Sequence, residues 1–260
     1  MMATISSYAA ITANLERSLT RVAEEPSNAR SSAEYLKRIG NIKTVDAFLK
    51  DDRVFTYALK AHGLEDMAYA KAFIRKVLEG GVDGRDAFAN KLADPRYKEL
   101  AETFNFKRYG DTATVFTRAQ TGTVDKFNRQ SLEVEAGRDN EGVRLALYFQ
   151  RQAPKASNTF DLIADPALAR VIQIASGLPQ SMGLLDIDKQ AAMIDWRVDF
   201  ASLKEPEKLA RLIERFTALW DIEQPQQGGL SNTAILFADN SIVGPDGDML
   251  LALQSWRTAL

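Results

Sequence analysis

One histidine, His62, stands among 35 acidic and 33 cationic side chains, and the chain contains no cysteine. A nucleophile–histidine–acid arrangement would have to be built on that single ring, and a metal site with two imidazoles is excluded. Disulfides, thiolate zinc sites and cysteine nucleophiles are excluded together. His62 directly precedes Gly63, a helix-ending residue type, so it is expected as a capping or surface residue beside the last helical carbonyls. Among the carboxylates, Asp239-x-Ser241-x-Val243-Gly244 opens like a calcium loop. Val243 stands where an oxygen ligand is needed, and no Glu closes the loop at its twelfth position. Phosphate-cradling glycine loops are absent. Lys71, Arg75 and Lys76 form a small cationic patch of the kind that stays solvated. Trp196, Trp220 and Trp256 fall on helical stripes and read as core or interface anchors. The expected inventory is therefore no catalytic residue, no cofactor-binding residue, no metal ligand and no cofactor.

The elements around these residues carry more information. Val45–Leu64 reads VDAFLKDDRVFTYALKAHGL, and Thr159–Leu178 reads TFDLIADPALARVIQIASGL. Laying Gly63 on Gly177 puts Asp51 on Asp165, Phe48 on Leu162, Val54 on Leu168 and Tyr57 on Val171. Each copy has a polar start, Thr44 or Asn158, followed by a short helical turn. An Asp then caps a new helix, with Pro166 at the first helical position of the second copy. A glycine closes each helix in the left-handed conformation, and the next Leu folds back onto the last turn. A capped start follows each copy, at Asp94-Pro95 and at Glu205-Pro206.

An internal repeat of this kind sets the architecture. The expected fold is mostly α, with two related helical units packed as a helical array and at most a short β-like hairpin at Ala234–Phe237 and Ser241–Val243. The divisions are 1–31, an N-terminal amphipathic helix and linker; 32–135, the first unit; 136–223, the second; and 224–260, a connector, turn and C-terminal helix. Glu24 to Asn28 breaks the first helix at Pro26, and Ser31-Ser32 caps the next one. Asn105–Thr123 has no clear period and reads as loop. Val124–Gln152 resumes a helical pattern, with a break or an exposed polar turn at Gly137–Gly142. Two stripes lie outside the repeated units: Ile5, Tyr8, Ile11, Leu15, Leu19 and Val22 at one end, and Met249, Leu253, Trp256 and Leu260 at the other. Both are narrow seams of the kind that pair in coiled coils or pack on their own core.

Composition limits the partners. Of 260 residues 45% are hydrophobic, ample for a core, and the net charge of −2 gives no basic excess to hold a nucleic acid. No apolar run is long enough to span a bilayer. The first residues lack the basic and apolar regions of a cleaved signal peptide.

TISSYAAITANLERSLTRVAEEP, VDAFLKDDRVFTYALKAHGLEDMAYAKAFIRKVLEGG and FANKLADPRYKELAETFNF resemble an alphaproteobacterial family of domains of unknown function. Its genes lie among flagellar genes, and some members carry the domain more than once. GLEDMAYAKAF and LADPRYKELAE are the specific parts. The resemblance implies a flagellar link and carries no activity or catalytic residues. The expected function is a non-enzymatic structural or interaction component of the flagellum, exported without a cleaved signal peptide. The alternative is a cytoplasmic chaperone or regulator of flagellar export. Expected partners are flagellar or export-apparatus proteins, with self-association through the terminal helices.

Overall fold

Residues 3–223 are described by a computed structural model, and every regular element among them is helical. In chain order these are α1 (Thr4–Ala13), α2 (Leu15–Glu24), α3 (Pro26–Ile39), α4 (Val45–Lys50), α5 (Asp52–Ala61), α6 (Lys71–Gly80) and α7 (Pro95–Thr103). There follow α8 (Phe106–Tyr109), α9 (Thr121–Asp139), α10 (Glu141–Gln152), α11 (Thr159–Ala164), α12 (Pro166–Ala175), α13 (Ile187–Arg197) and α14 (Pro206–Glu223), with short 3-10 turns between some of them. The mostly-α helical array expected from the sequence is the fold of the described residues. The β-like runs, the Asp239 loop and the C-terminal stripe lie outside them. The chain divides into two units, Met2–Asp221 and a second made of Met1 and Ile222–Leu260. Both capped devices lie in the first.

Both capped devices form as their residues dictate. Thr44 Oγ1 accepts from the Ala47 N–H at 3.1 Å, and Asn158 Oδ1 accepts from the Asp161 N–H at 3.0 Å, starting α4 and α11. Asp51 Oδ1 accepts from the Val54 N–H at 3.2 Å to start α5. Asp165 Oδ1 accepts from the Ala167 and Leu168 N–H groups at 2.9 and 3.2 Å to start α12. Each such cap contributes about 1 kcal/mol. Gly63 and Gly177 turn to φ 70° and 63°, where a side chain would be strained. Leu64 N–H then reaches back to the Leu59 carbonyl and Leu178 N–H to that of Gln173, at 2.8 and 2.9 Å, closing both helices in the same way.

Each device seeds a core. Phe48 of α4 is fully buried among Phe55, Phe104 and Phe106, with centroids 6.1, 4.9 and 6.0 Å away. A stack of Tyr35, Tyr57 and Phe127, at 4.4 and 4.2 Å, ties α3, α5 and α9 together. The second core gathers Phe149, Leu162, Ile172, Ile213 and Phe216 from α10, α11, α12 and α14. Helices α9 and α10 pack against each other between the two cores.

Several boundaries differ from the sequence reading. Pro26 starts α3 rather than ending a helix region, because proline at the first helical position forfeits only an N–H that has no partner there. Ser31 and Ser32 lie inside α3, where Ser32 bonds the Tyr57 hydroxyl at 2.8 Å. The stretch read as loop holds α8, two 3-10 turns and the start of α9. The break between α9 and α10 is one residue, Asn140, whose side chain caps α10 through the Gly142 N–H at 2.9 Å. Gly142 itself has a steric role, since a Cβ there would sit 2.5 Å from Cδ1 of Trp220.

The N-terminal stripe is not one free seam. It breaks at Asn14 into α1 and α2, which pack on α10 and α9. Thr4 donates from its backbone N–H to Asp221 at 3.0 Å, its hydroxyl bonds the same carboxylate, and Asn140 donates to the Thr4 hydroxyl at 2.8 Å. Tyr8 packs against the second core and Val22 is buried. Tyr8, Ile11, Leu15 and Leu19 are half-buried and Ile5 is exposed, so the stripe is used only in part within the unit. Among the described residues no helix is long and apolar enough to cross a membrane.

Candidate functional site

The polar groups with the most constrained surroundings meet where the end of α5 faces α7 and α9. His62, the residue after α5, is 5% exposed. Its Nδ1 lies 2.8 Å from the Ala58 carbonyl, a pure acceptor, so Nδ1 carries the proton. That leaves Nε2 as an acceptor, and the Lys126 ammonium of α9 reaches it at 3.2 Å. Lys126 also donates to Thr103 Oγ1 at 3.1 Å and pairs with Glu99 Oε1 at 2.9 Å, both on α7. Thr103 in turn donates to the Glu99 carbonyl at 2.9 Å. Three acceptors thus meet the three N–H groups of one ammonium.

The electrostatics follow from that geometry. Burial, reinforced by the neighbouring Lys126 charge, pushes the His62 imidazole down to about 4 and keeps it neutral. For Glu99, burial acts upward, but Lys126 and Lys155 outweigh it and hold the carboxyl down at about 2. A second ionic group stands next to it between α9 and α10. Glu133, 1% exposed, accepts from Arg129 at 3.1 Å and from Arg151 through two bonds of 2.8 Å.

Beside the junction opens a cleft of about 530 Å³ lined by Arg96, Glu99, Tyr148, Lys155, Asn158 and Asp165. The second capped device borders it through Asn158 and Asp165, and Arg96 ties its wall to the end of the first. Arg96 grips Asp94 through two nitrogens, with its closest contact at 2.7 Å, and donates to the Gly63 carbonyl at 2.5 Å. Tyr148 donates to Asp165 Oδ2 at 2.6 Å, the free oxygen of the second cap. Lys155 lies 3.7 Å from Glu99, and burial lowers its affinity for a proton. The arrangement can position helices and hold a fixed pattern of charge. With Lys126 in place, both nitrogens of its imidazole are engaged, Nδ1 by the Ala58 carbonyl and Nε2 by the ammonium.

The structure corrects the reading of His62 in part. It does stand at a helix end, but it is buried, because Thr103 and Lys126 arrive from 41 and 64 residues further along to cover it. The cationic patch is paired: Lys71 with Asp52 at 2.6 Å, Arg75 with Asp46 and Glu79, and Lys76 over the Phe88 ring. Trp220 packs beside Phe216 at 5.6 Å, as an anchor should, whereas Trp196 is 78% exposed with Arg197 over its ring. The junction residues Glu99, Thr103 and Lys126 escaped the sequence reading. Only the i,i+4 spacing of Glu99 and Thr103 hints that they share a face. Among the described residues no group of acidic or histidine side chains is disposed to hold a metal.

A helical protein with two hydrophobic cores and a partly buried polar junction is the class these features define. The chain belongs to the family described as protein of unknown function DUF1217, whose profile matches residues 61–209 and takes in the whole junction. It is similar to a protein of Agrobacterium tumefaciens solved by X-ray crystallography for structural genomics. The identity is 48% and the TM-score 0.80, with 85% of this chain and 94% of that chain covered. No curated protein matches the chain.

Proposed function

We propose that this protein is a non-enzymatic structural or protein-interaction component associated with the bacterial flagellum. The observation that carries the non-enzymatic reading is the lone imidazole. Nδ1–H is given to the Ala58 carbonyl and Nε2 receives Lys126, so neither nitrogen is presented to a substrate. The cleft carboxylates Glu99 and Asp165 are likewise engaged, one by Lys126 and one by a helix start and Tyr148. The flagellar link is supported by the resemblance of the quoted segments to a family whose genes lie among flagellar genes.

The test is a deletion strain complemented with tagged protein, in backgrounds with and without a working flagellar export apparatus. Appearance in purified flagella or supernatant only when export works supports an exported component. Retention in the cell together with lost motility favours the chaperone or regulator. Unchanged motility and a distribution indifferent to export overturn the flagellar reading.

A further inference from the structure

Lys126 of α9 bridges to Glu99 and Thr103 of α7, and His62 stands against that bridge as a ring whose protonation would place a second positive charge there. The groups that face it are set by geometry. Lys126 approaches Nε2 from α9 at 3.2 Å, Thr103 approaches from α7 at 3.1 Å, and the Phe104 ring lies 6.0 Å away. Glu99 of α7 and Arg151 of α10 act on it through space, one favouring and one opposing a positive ring. Ala58 C=O fixes the other nitrogen. A protonated Nε2 has only the second lone pair of Thr103 Oγ1 to turn to, at 3.1 Å, and doing so leaves the ring's charge 3.2 Å from the Lys126 ammonium with no anion between them.

We propose that this junction is an acid-sensitive latch: a proton on His62 expels the Lys126 ammonium and frees α7 from α9, opening the adjacent cleft. The steps are proton placements only. Nε2 takes a proton from solvent, and two cations then stand within hydrogen-bond distance in a buried site, which is strongly unfavourable. Lys126 is the member that can leave, because its side chain is 29% exposed and flexible whereas the ring is enclosed. Its departure removes the closest cation from Glu99 and leaves Lys155, at 3.7 Å across the cleft, as the remaining partner. Glu99 belongs both to the junction and to the cleft wall, so the change is transmitted without a relay. The latch stands on this geometry and does not depend on a flagellar role.

Because the chain has one histidine, its ring gives a single, self-assigned NMR signal. The experiment titrates the full chain from pH 7.5 to 3 and follows that signal together with amide hydrogen exchange. The expected result is a neutral Nδ1–H ring at pH 6, with a titration midpoint well below the ordinary value of about 6.5. Relative to the intrinsic amide rate at each pH, protection in 96–104 and 121–130 should fall at least tenfold with the same midpoint, while α12 and α14 stay protected. Lys126→Met should raise the ring's midpoint and uncouple it from exchange. His62→Gln should abolish the exchange step; if that variant does not fold, Lys126→Met decides alone. A ring that titrates near 6.5, or an exchange step that survives in Lys126→Met unchanged, overturns the latch.

Discussion

Replacing Glu133 by Gln should destabilise the protein more than almost any other change of a single atom. Glu133 accepts three bonds from Arg129 and Arg151, and the alternatives are poor: Arg129 keeps the Leu147 carbonyl at 3.3 Å, and Arg151 keeps Gln130 at 3.4 Å. Breaking a buried ion pair by removing one partner costs about 3–5 kcal/mol, because the remaining charge is left uncompensated. The guanidinium side chains are 12% and 22% exposed, so water reaches them partly and the lower figure, about 3 kcal/mol, applies. For a unit of this size that corresponds to a fall in Tm of roughly 6–12 °C. Urea unfolding at pH 7, followed by far-UV circular dichroism, measures it at constant slope. The companion variant Arg129→Met, Glu133→Leu, Arg151→Met removes all three charges and should lie within about 2 kcal/mol of the native protein, or above it. A loss below about 1 kcal/mol in Glu133→Gln, with unchanged slope, would refute the view that this group must be satisfied as a set.

Asp165→Ala should cost roughly 2 kcal/mol against about 1 for Asp51→Ala, because Asp165 is buried, caps two N–H groups and accepts from Tyr148, and thermal melts of both variants show the difference. Phe48→Ala should cost about 3–5 kcal/mol, as other buried aromatic truncations do, and a urea midpoint shifted by less than a third of that would mean the first core rearranges to fill the space. Stability should fall on acidification in two windows. His62 is held down in the fold, so its contribution is complete above about 6.5 and is lost as pH falls toward about 4. Glu99 is also held down, and its contribution is complete above about 4.3 and is lost toward about 2. His62→Gln should flatten the first window alone in urea unfolding measured from pH 7.5 to 4; a wild-type curve without slope there contradicts a neutral buried ring.

What could be read directly from the chain was whatever is decided within one helical turn. Thr44, Asp51, Gly63, Asn158, Asp165, Pro166 and Gly177 all take the positions their types demand, because a cap satisfies groups two to four residues away. Pro26 was legible only as punctuation, since the same residue ends one helix and begins the next. Asn140 hid between Gly137 and Gly142, which look like a flexible turn; Arg144 packs over the first and Trp220 over the second. The junction was illegible for a different reason. His62, Glu99, Thr103 and Lys126 are ordinary surface residue types on three separate helices, and only the packing of α7 and α9 over the end of α5 makes them neighbours.

The bonds from Thr4 to Asp221 and Asn140 have a consequence for the order in which the protein is made. Residues 4 and 221 bracket nearly the whole unit, so this clasp cannot close while the ribosome is still adding α14. Domains fold as the chain emerges, at about 5–20 residues per second, so the first core can assemble well before α1, which packs on α10 and the second core, has its final partners. Until then the apolar side of α1 waits exposed, and a pause in synthesis between α10 and α14 prolongs that exposure. The same closure brings the two ends of the unit to one point. A chain rejoined there through a short linker and opened at another surface loop keeps its interior contacts, and would assemble them in a different order.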